Sequence, residues 1–553
     1  MIKIIADNIL SPLGETTESN LKAVRSGASA LKKHQLEGMP EPFVGSLIEP
    51  HLDFEQGLIR TIAASLAQTN VDARDESVIF IISSTKGNVA DFEPIGTSAV
   101  KVARHFGNPN RPIVVSNACI SGLSAQILAM RLLRAGHYQT AVVAGMDVQG
   151  KFIVSGFQSF KALSPDECRP FDGDRCGLNL GEAAASLILT RNEKSETLND
   201  ELEISNKKSE IRKEEWRLEE GCVRNDANHI SNPSRTGEGC LRAIRQVLNE
   251  GEQPVCISAH GTATLYNDEM EACAIDHAGL AEVPTFSLKG YYGHTMGAAG
   301  ILETIVTLHA LSEGWIPATR GFAEAGTSHE INVTSTELPV HNGRVLKLLS
   351  GFGGCNGALV FVRGESVTPG ISGLSEMSGS SGKTGNSGSS GVLLTPADAP
   401  EGLTALYKQW VGDYPKFYKM DPLCKLGFLA SEALTKASQP TDWDRTAIVI
   451  FTRLGSMAID RAYTETIRNE EDYFPSPSMF VYTLSNIVTG EIAIRHQCHG
   501  ETSCYILDEK DWPLMECVVQ TTFQDPGIDN VLGGWLDYED DRHFEADLRL
   551  WRK

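Results

Sequence analysis

The sequence has no C-x-x-C pair among its twelve cysteines. That argues against a zinc knuckle or a dense disulfide framework and fits a reducing, cytoplasmic compartment. It has no apolar run near the roughly 20 residues that a membrane helix needs, so no membrane insertion is expected. The N-terminus (MIKIIADNILSPLGETTESN) reads as a short strand and a polar turn, not a signal peptide. Basic side chains are in deficit: 49 Lys and Arg face 71 Asp and Glu, a net charge of -22. Such a surface does not suit nucleic acid, and only a local basic patch remains for an acidic partner. His496, Cys498 and His499 are the tightest metal-like group in the chain, but near-adjacent residues rarely converge on one ion, and no metal is expected.

What is present is α/β texture. Strand-like runs (SVIFIISS, PIVVSNA, TAVVAGMD, ASLILT) alternate with helical ones, and a second series follows from WRLEEGCVRND to AGILETIVTLHALSEG. The charged stretch 191–213 reads as a solvated connector between two lobes. Composition then changes to SVTPGISGLSEMSGSSGKTGNSGSSG, which cannot bury a core and reads as a flexible tether. The expected division is a lobe at 1–195, a second at 196–365, a linker at 366–394 and a further α/β unit at 395–553. That last unit repeats the first lobe alone. SVIFIISSTKGNV resembles AIVIFTRLGSMAI, VARHFG resembles AIRHQCHG, and AVVAGMD resembles NVLGGWLD. Where the first copy has Ser116-Asn117-Ala118-Cys119, the second has Leu507-Asp508-Glu509-Lys510.

The chemistry concentrates in five segments. VVSNACISGLSA places Cys119 on a tight turn between a strand and a helix that runs to Gly136. SAHGTATLYNDEMEA carries His260, and SLKGYYGHTMGAAGILE carries Lys289, His294 and Glu303. SGFGGCNGALVF carries Phe352, and ALSPDECRPFDGDRCGLNLGEAAA completes the set. Both histidines lie beside glycine after short apolar runs, which predicts loops at strand ends, where catalytic groups gather in open α/β sheets. Singly, each signal has a plainer reading as packing, a satisfied polar residue or a close backbone crossing.

Together, and in this order, the segments resemble the β-ketoacyl synthases, decarboxylating condensing enzymes that act on acyl-carrier-protein substrates. The resemblance runs from Ser11-Pro12-Leu13-Gly14 to about Val362 and includes VRNDANHISNPSRTGEG. It implies a thiolase-like fold of two related lobes with stacked mixed sheets and helices, plus an extra C-terminal α/β half-lobe. It implies Cys119, His260 and His294 as the catalytic trio, supported by Lys289 and Glu303. Cys119, Phe352 and Gly353 form the oxyanion hole and gate, and Thr262, Thr264 and Gly351 contact substrate. No cofactor is bound; 4′-phosphopantetheine arrives on an acyl carrier protein carrying malonyl and acyl groups. Enzymes of this family dimerise through their first lobes, some with a catalytically dead chain-length factor, as in polyene-type bacterial pathways such as aryl polyenes. The tail resembles such a partner cut to its first lobe, so either a homodimer or a heterodimer-like pairing is open. Two other readings remain: a non-catalytic subunit that shapes acyl chains, and a thiolase using Cys355 as its second cysteine.

In physical terms, a helix N-terminus is expected to lower the Cys119 thiol pKa. The backbone amides of Cys119 and Phe352 would hold a tetrahedral oxyanion. The two imidazoles would donate N–H bonds to the enolate oxygen formed when malonyl loses carbon dioxide. Arg131, Arg134, Lys101 and Arg104 are candidate docking residues for the acidic carrier protein.

Overall fold

The computed structural model describes residues 1–191, 215–364, 390–469 and 473–553. The predicted connector, apart from Arg191, lies outside the described residues, as does the predicted linker up to residue 389. The last five linker residues are not a tether. Ser390–Leu394 form an edge strand paired with Ala546–Leu550, because Val392 and Leu394 continue the alternating apolar face of the tail.

Fifteen strands form one continuous sheet in three sets of five. The first set is β1 (Ile2–Leu10), β2 (Val78–Ser83), β3 (Ile113–Val115), β4 (Thr140–Asp147) and β5 (Ala183–Arg191). The second is β6 (Trp216–Asn225), β7 (Cys256–Ser258), β8 (Thr285–Phe286), β9 (Arg344–Gly351) and β10 (Cys355–Arg363). The third is β11 (Ser390–Leu394), β12 (Thr446–Thr452), β13 (Thr502–Ile506), β14 (Asn530–Asp540) and β15 (His543–Arg552). The spatial order is β8-β7-β9-β10-β6-β1-β5-β4-β2-β3-β13-β12-β14-β15-β11. Each set therefore has the same internal order, and in each the fifth strand runs antiparallel to its neighbours. The repeat of first lobe and tail seen in the sequence is real, and the second lobe is a third copy of it.

The sets join in two ways, both antiparallel. First strands meet at Ile2↔Leu218 and Lys3↔Arg217, and third strands meet at Val115↔Tyr505 and Val114↔Ile506. The inner strands are apolar without alternation: every residue of β2 and β4 is buried, as expected of parallel strands covered on both faces.

Six helices matter for the site: α1 (Ser121–Ala135), α2 (Leu265–His277), α3 (Ala299–Ser312), α4 (Pro477–Tyr482), α5 (Ile487–His496) and α6 (Trp512–Thr522). Helices α1 and α3 are buried nearly all round, since they lie against each other between the strands of the first two sets. Their approach needs glycine. A Cβ on Gly122 would stand 2.7 Å from Gly297 O, and one on Gly300 would collide with Leu123 N.

The tail is held by opposite charges buried at the join. Arg131 pairs with Glu501 at 2.8 Å, Arg224 with Asp525 at 2.7 Å, and Lys86 with Asp460 at 2.8 Å. Burial works against charge on Asp525, but Arg224 and Arg131 outweigh it and hold the carboxyl below the usual range. Removing one partner of such a buried pair typically costs about 3–5 kcal/mol. Arg131 is only 3% exposed, so it is not the carrier-docking residue expected from the sequence. The helix that carries it is interior, and its charge is spent on the tail. Arg134 and Lys101 are also engaged, with Glu219 O and Glu93 respectively.

Candidate active site

Strand β3 ends at Val115, and the chain turns through Ser116, Asn117 and Ala118 into Cys119 before α1 begins. Ala118 has φ 47°, a left-handed conformation that a non-glycine residue adopts only when its surroundings enforce it. Much of that enforcement comes from the tail. Ser116 N donates to Cys504 O (3.0 Å), Asn117 Nδ2 to Thr502 O (3.0 Å), and Cys504 N to Asn117 Oδ1 (3.0 Å).

Cys119, His260 and His294 each place a donor atom within 4.8 Å of the other two. The imidazoles meet edge-to-face, centroids 5.1 Å apart. All three line a cavity of about 280 Å³, together with Thr262, Thr264 and Phe352. Leu265 and Tyr266 sit on its wall while remaining 55% and 69% exposed, which places them at the mouth.

Each group is positioned from below. His260 follows β7, and its N–H and that of Gly261 donate to the two oxygens of Glu271 (2.7 Å each). Asp268, one turn earlier on α2, accepts from the N–H groups of Thr262 and Ala263. Burial pushes the Asp268 carboxyl up to about 6 and that of Glu271 up to about 7. His294 does not follow a strand directly; a one-turn helix, Lys289–Tyr292, intervenes after β8. The Met296 N–H approaches His294 Nδ1 (3.4 Å), which makes Nδ1 the acceptor and puts the ring proton on Nε2. Nε2 of His294 and Nδ1 of His260 are buried with no protein partner.

Burial, reinforced by Lys289, holds both imidazoles well below their ordinary range, so both are neutral at pH 7. Glu303 lies between Lys289 and Lys347, with Lys347 Nζ at 2.5 Å and Lys289 Nζ also in contact. Burial alone would raise the Glu303 pKa, but the two ammonium groups outweigh it and keep the carboxyl charged.

Two expectations need correction. Burial pushes the Cys119 thiol up to about 12, with Asp147 adding to the rise and Lys289 opposing it. The helix N-terminus therefore does not leave a resting thiolate. Gly353 is not an oxyanion donor either, since its N–H is committed to Ile230 O (2.7 Å). Its φ of 90° shapes the loop instead. Gly351 does border the nucleophile: a Cβ there would stand 3.3 Å from Cys119 N. Thr262 and Thr264 face one another, Oγ1 to Oγ1 at 2.9 Å. Cys355 is buried and points its thiol at Phe352 O (3.3 Å), outside the cavity wall. His496 is stacked on Trp443, Cys498 donates to Thr446 O, and His499 faces Asn225 O, so these three share no centre.

Several supporting groups are absent from the sequence reading. Asp268 and Glu271 are acids in the helix after His260, and Lys347 is a lone charge in the apolar run VLKLLSG. Asp147 ends an apolar strand and accepts from Ser84 Oγ, from the Thr85 and Lys86 amides, and from Gly297 N. Asn486, from the tail, donates to Phe352 O at 2.8 Å.

Known proteins share stretches of this sequence and its fold. Residues 83–195 match the model of the β-ketoacyl synthase N-terminal domain, and residues 218–323 that of its C-terminal domain. Nodulation protein E of Rhizobium leguminosarum bv. trifolii is 30% identical over 260 residues, covering 45% of this chain and 60% of that protein. The 3-oxoacyl-[acyl-carrier-protein] synthase 2 of Vibrio cholerae is 30% identical over 287 residues, covering 48% of this chain and 64% of that protein. The chain thus spans less than two thirds of these relatives. By fold, it superposes over its whole length on the PfaC keto synthase-chain length factor, covering 78% of that chain with a TM-score of 0.75 at 13% identity. The ketosynthase ApeO, in complex with its chain length factor ApeC from Xenorhabdus doucetiae, matches at TM-score 0.55 and 23% identity, over 66% of this chain and 98% of that one. The fold is that of the ketosynthases, α/β and thiolase-like.

The depressed imidazoles predict a pH effect on stability. Unfolded histidine gains a proton near pH 6.5, while the buried rings stay neutral, so their contribution is complete above about 6.5 and is lost as pH falls below it. Each ring adds a slope that steepens from about 0.7 kcal/mol per pH unit at pH 6.5 toward about 1.4 well below it. His294→Asn should remove about 1 kcal/mol of the stability lost between pH 6.5 and 5.5 in urea denaturation; equal slopes in the two proteins would contradict the assignment.

Proposed function

We propose that the chain is a 3-oxoacyl-[acyl-carrier-protein] synthase, a decarboxylating acyltransferase of fatty-acid or polyketide type. One observation carries this: a thiol and two neutral imidazoles, each presenting a nitrogen without a protein partner, converge on one cavity. A non-catalytic acyl-shaping subunit has no need of that arrangement together with the Lys289–Glu303–Lys347 bridge. A thiolase would need Cys355 in the cavity wall.

In the first step Cys119 Sγ attacks the thioester of an acyl carrier protein. The Sγ–H proton passes through a neutral imidazole to the departing pantetheine thiol, and the acyl group remains on Cys119. His294 holds its ring proton on Nε2, so the free lone pair for this relay belongs to His260. The backbone N–H groups of Cys119 and Phe352 are the donors for the tetrahedral oxyanion. In the second step malonyl carrier protein enters past Leu265 and Tyr266. Its C–COO⁻ bond breaks, carbon dioxide leaves, and the electron pair becomes an enolate whose oxygen accepts from the two imidazole N–H groups. The enolate carbon attacks the acyl carbonyl, the C–S bond to Cys119 breaks, and the thiolate left on Cys119 takes a proton from solvent. The product is a β-ketoacyl thioester two carbons longer. Twelve free thiols suit a reducing cytoplasm for this work, and among the described residues no helix is long and apolar enough to cross a membrane.

Residues 395–553 act as a built-in, non-catalytic partner lobe. At the positions matching the nucleophile turn, Asp508 and Asp511 grip Arg111 (2.9 and 2.7 Å), and Lys510 pairs with Glu545 and Asp547. The tail's Phe480 packs on Phe157 and Phe160, two rings that wall the cavity. It thereby backs the tunnel that measures the acyl chain.

His294→Ala should still take an acyl group onto Cys119 but release carbon dioxide from malonyl carrier protein at least about 100-fold more slowly. Wild-type carbon dioxide release in that variant would sink the mechanism. Phe480→Ala should open space behind Phe157 and shift products toward longer chains, measured by mass spectrometry of the released acyl groups. An unchanged product distribution would remove the tail from chain-length control.

A further inference from the structure

A second group of metal-ligating side chains lies away from the cavity, on the last turns of α2. Cys273 and His277 are four residues apart and so share one face of the helix. His329, from the loop that follows Gly326, completes the group. The donor atoms of all three lie within 4.8 Å of one another, and the two rings meet edge-to-face at 5.1 Å. Cys273 Sγ stands 3.6 Å from His277 Nδ1. A tetrahedral zinc holding a thiolate at about 2.3 Å and an imidazole at about 2.05 Å separates those two atoms by about 3.6 Å.

The surroundings fit a ligand set. His329 Nδ1 lies 2.7 Å from Asp276 Oδ2. That contact keeps the ring proton on Nδ1 and leaves the Nε2 lone pair bare, the carboxylate–histidine support common behind zinc ligands. Cys273 is buried, and its thiol now donates to Thr236 O at 3.4 Å. His277 is exposed, which leaves a way in for the ion and room for a water as fourth ligand.

We propose that Cys273, His277 and His329 form a zinc-binding site, with Asp276 orienting His329. A thiolate and two imidazoles select zinc or a similar borderline cation and disfavour magnesium and calcium, which prefer oxygen. On binding, the Cys273 S–H bond gives its proton to solvent, the sulfur takes the metal, and both imidazoles enter neutral, so one proton is released per ion. The ion ties the 327–333 loop to α2, where Ser328 N already donates to Glu269. The first turns of that helix carry Asp268 and Glu271, which hold the His260 loop. The sequence expectation of no metal rested on the lack of C-x-x-C pairs, and that test does not see a C-x-x-x-H pair completed by a distant loop.

The test uses the full chain carrying Cys119→Ala, which removes the other cysteine–histidine group as a site. Cobalt(II) is the probe, read by its thiolate charge-transfer band and the visible bands of a tetrahedral centre. One equivalent should develop both features, zinc should abolish them, and zinc should raise the melting temperature. His277→Ala changes an exposed residue, and His329→Gln keeps a polar side chain at its site. Each should lose the cobalt spectrum and the zinc-dependent rise while melting normally without metal. Absence of a thiolate–cobalt band in the parent, or its persistence in both variants, would overturn the proposal.

Discussion

The antiparallel contact between β3 and β13 is the constraint on which the site depends. It is short, two residue pairs long, yet it carries the hydrogen bonds that clasp Ser116 and Asn117 immediately before the nucleophile. A left-handed alanine at 118 costs roughly 1–3 kcal/mol, and a strand supplied by the tail helps to over-determine it. The buried charges around Arg131, Arg224 and Lys86 hold that strand in place. Asn486 extends the same dependence to the opposite side of the cavity, through the Phe352 carbonyl.

Within that frame, the electrostatics favour neutral reactants. The thiol and both imidazoles are uncharged at rest, while the one strongly charged assembly, Lys289–Glu303–Lys347, lies behind them. Two ammonium groups around one carboxylate leave a net positive field, which discourages imidazolium and favours an oxyanion as it forms. Neutral N–H donors in a water-poor cavity then do most of their work only when charge develops on the substrate.

Much of this was legible in the residues. Five ordered motifs sufficed for the fold and singled out Cys119, His260 and His294, which the structure brings together, and the apolar strand runs exposed the repeat because parallel strands covered on both faces leave little room for variation. What was not legible depends on contacts between distant segments. The basic residues of α1 look like a solvated face until the tail arrives to bury Arg131 against Glu501. A thiol at a helix N-terminus suggests a thiolate until the surrounding layers remove water from it. Gly353 looks like a donor until Ile230 takes its N–H, and Ser390–Leu394 look like linker until β15 offers them an edge. Asp268, Glu271 and Lys347 left fainter traces: acids one turn apart after a histidine, and a single charge inside an apolar strand.

The central claim is that Cys119 carries the growing chain. Peptide mass mapping of the protein after incubation with an acyl carrier protein thioester tests it most directly. The account predicts one acyl increment, confined to the peptide that contains Cys119. An acyl group on another cysteine, with Cys119 still open to alkylation, would contradict it.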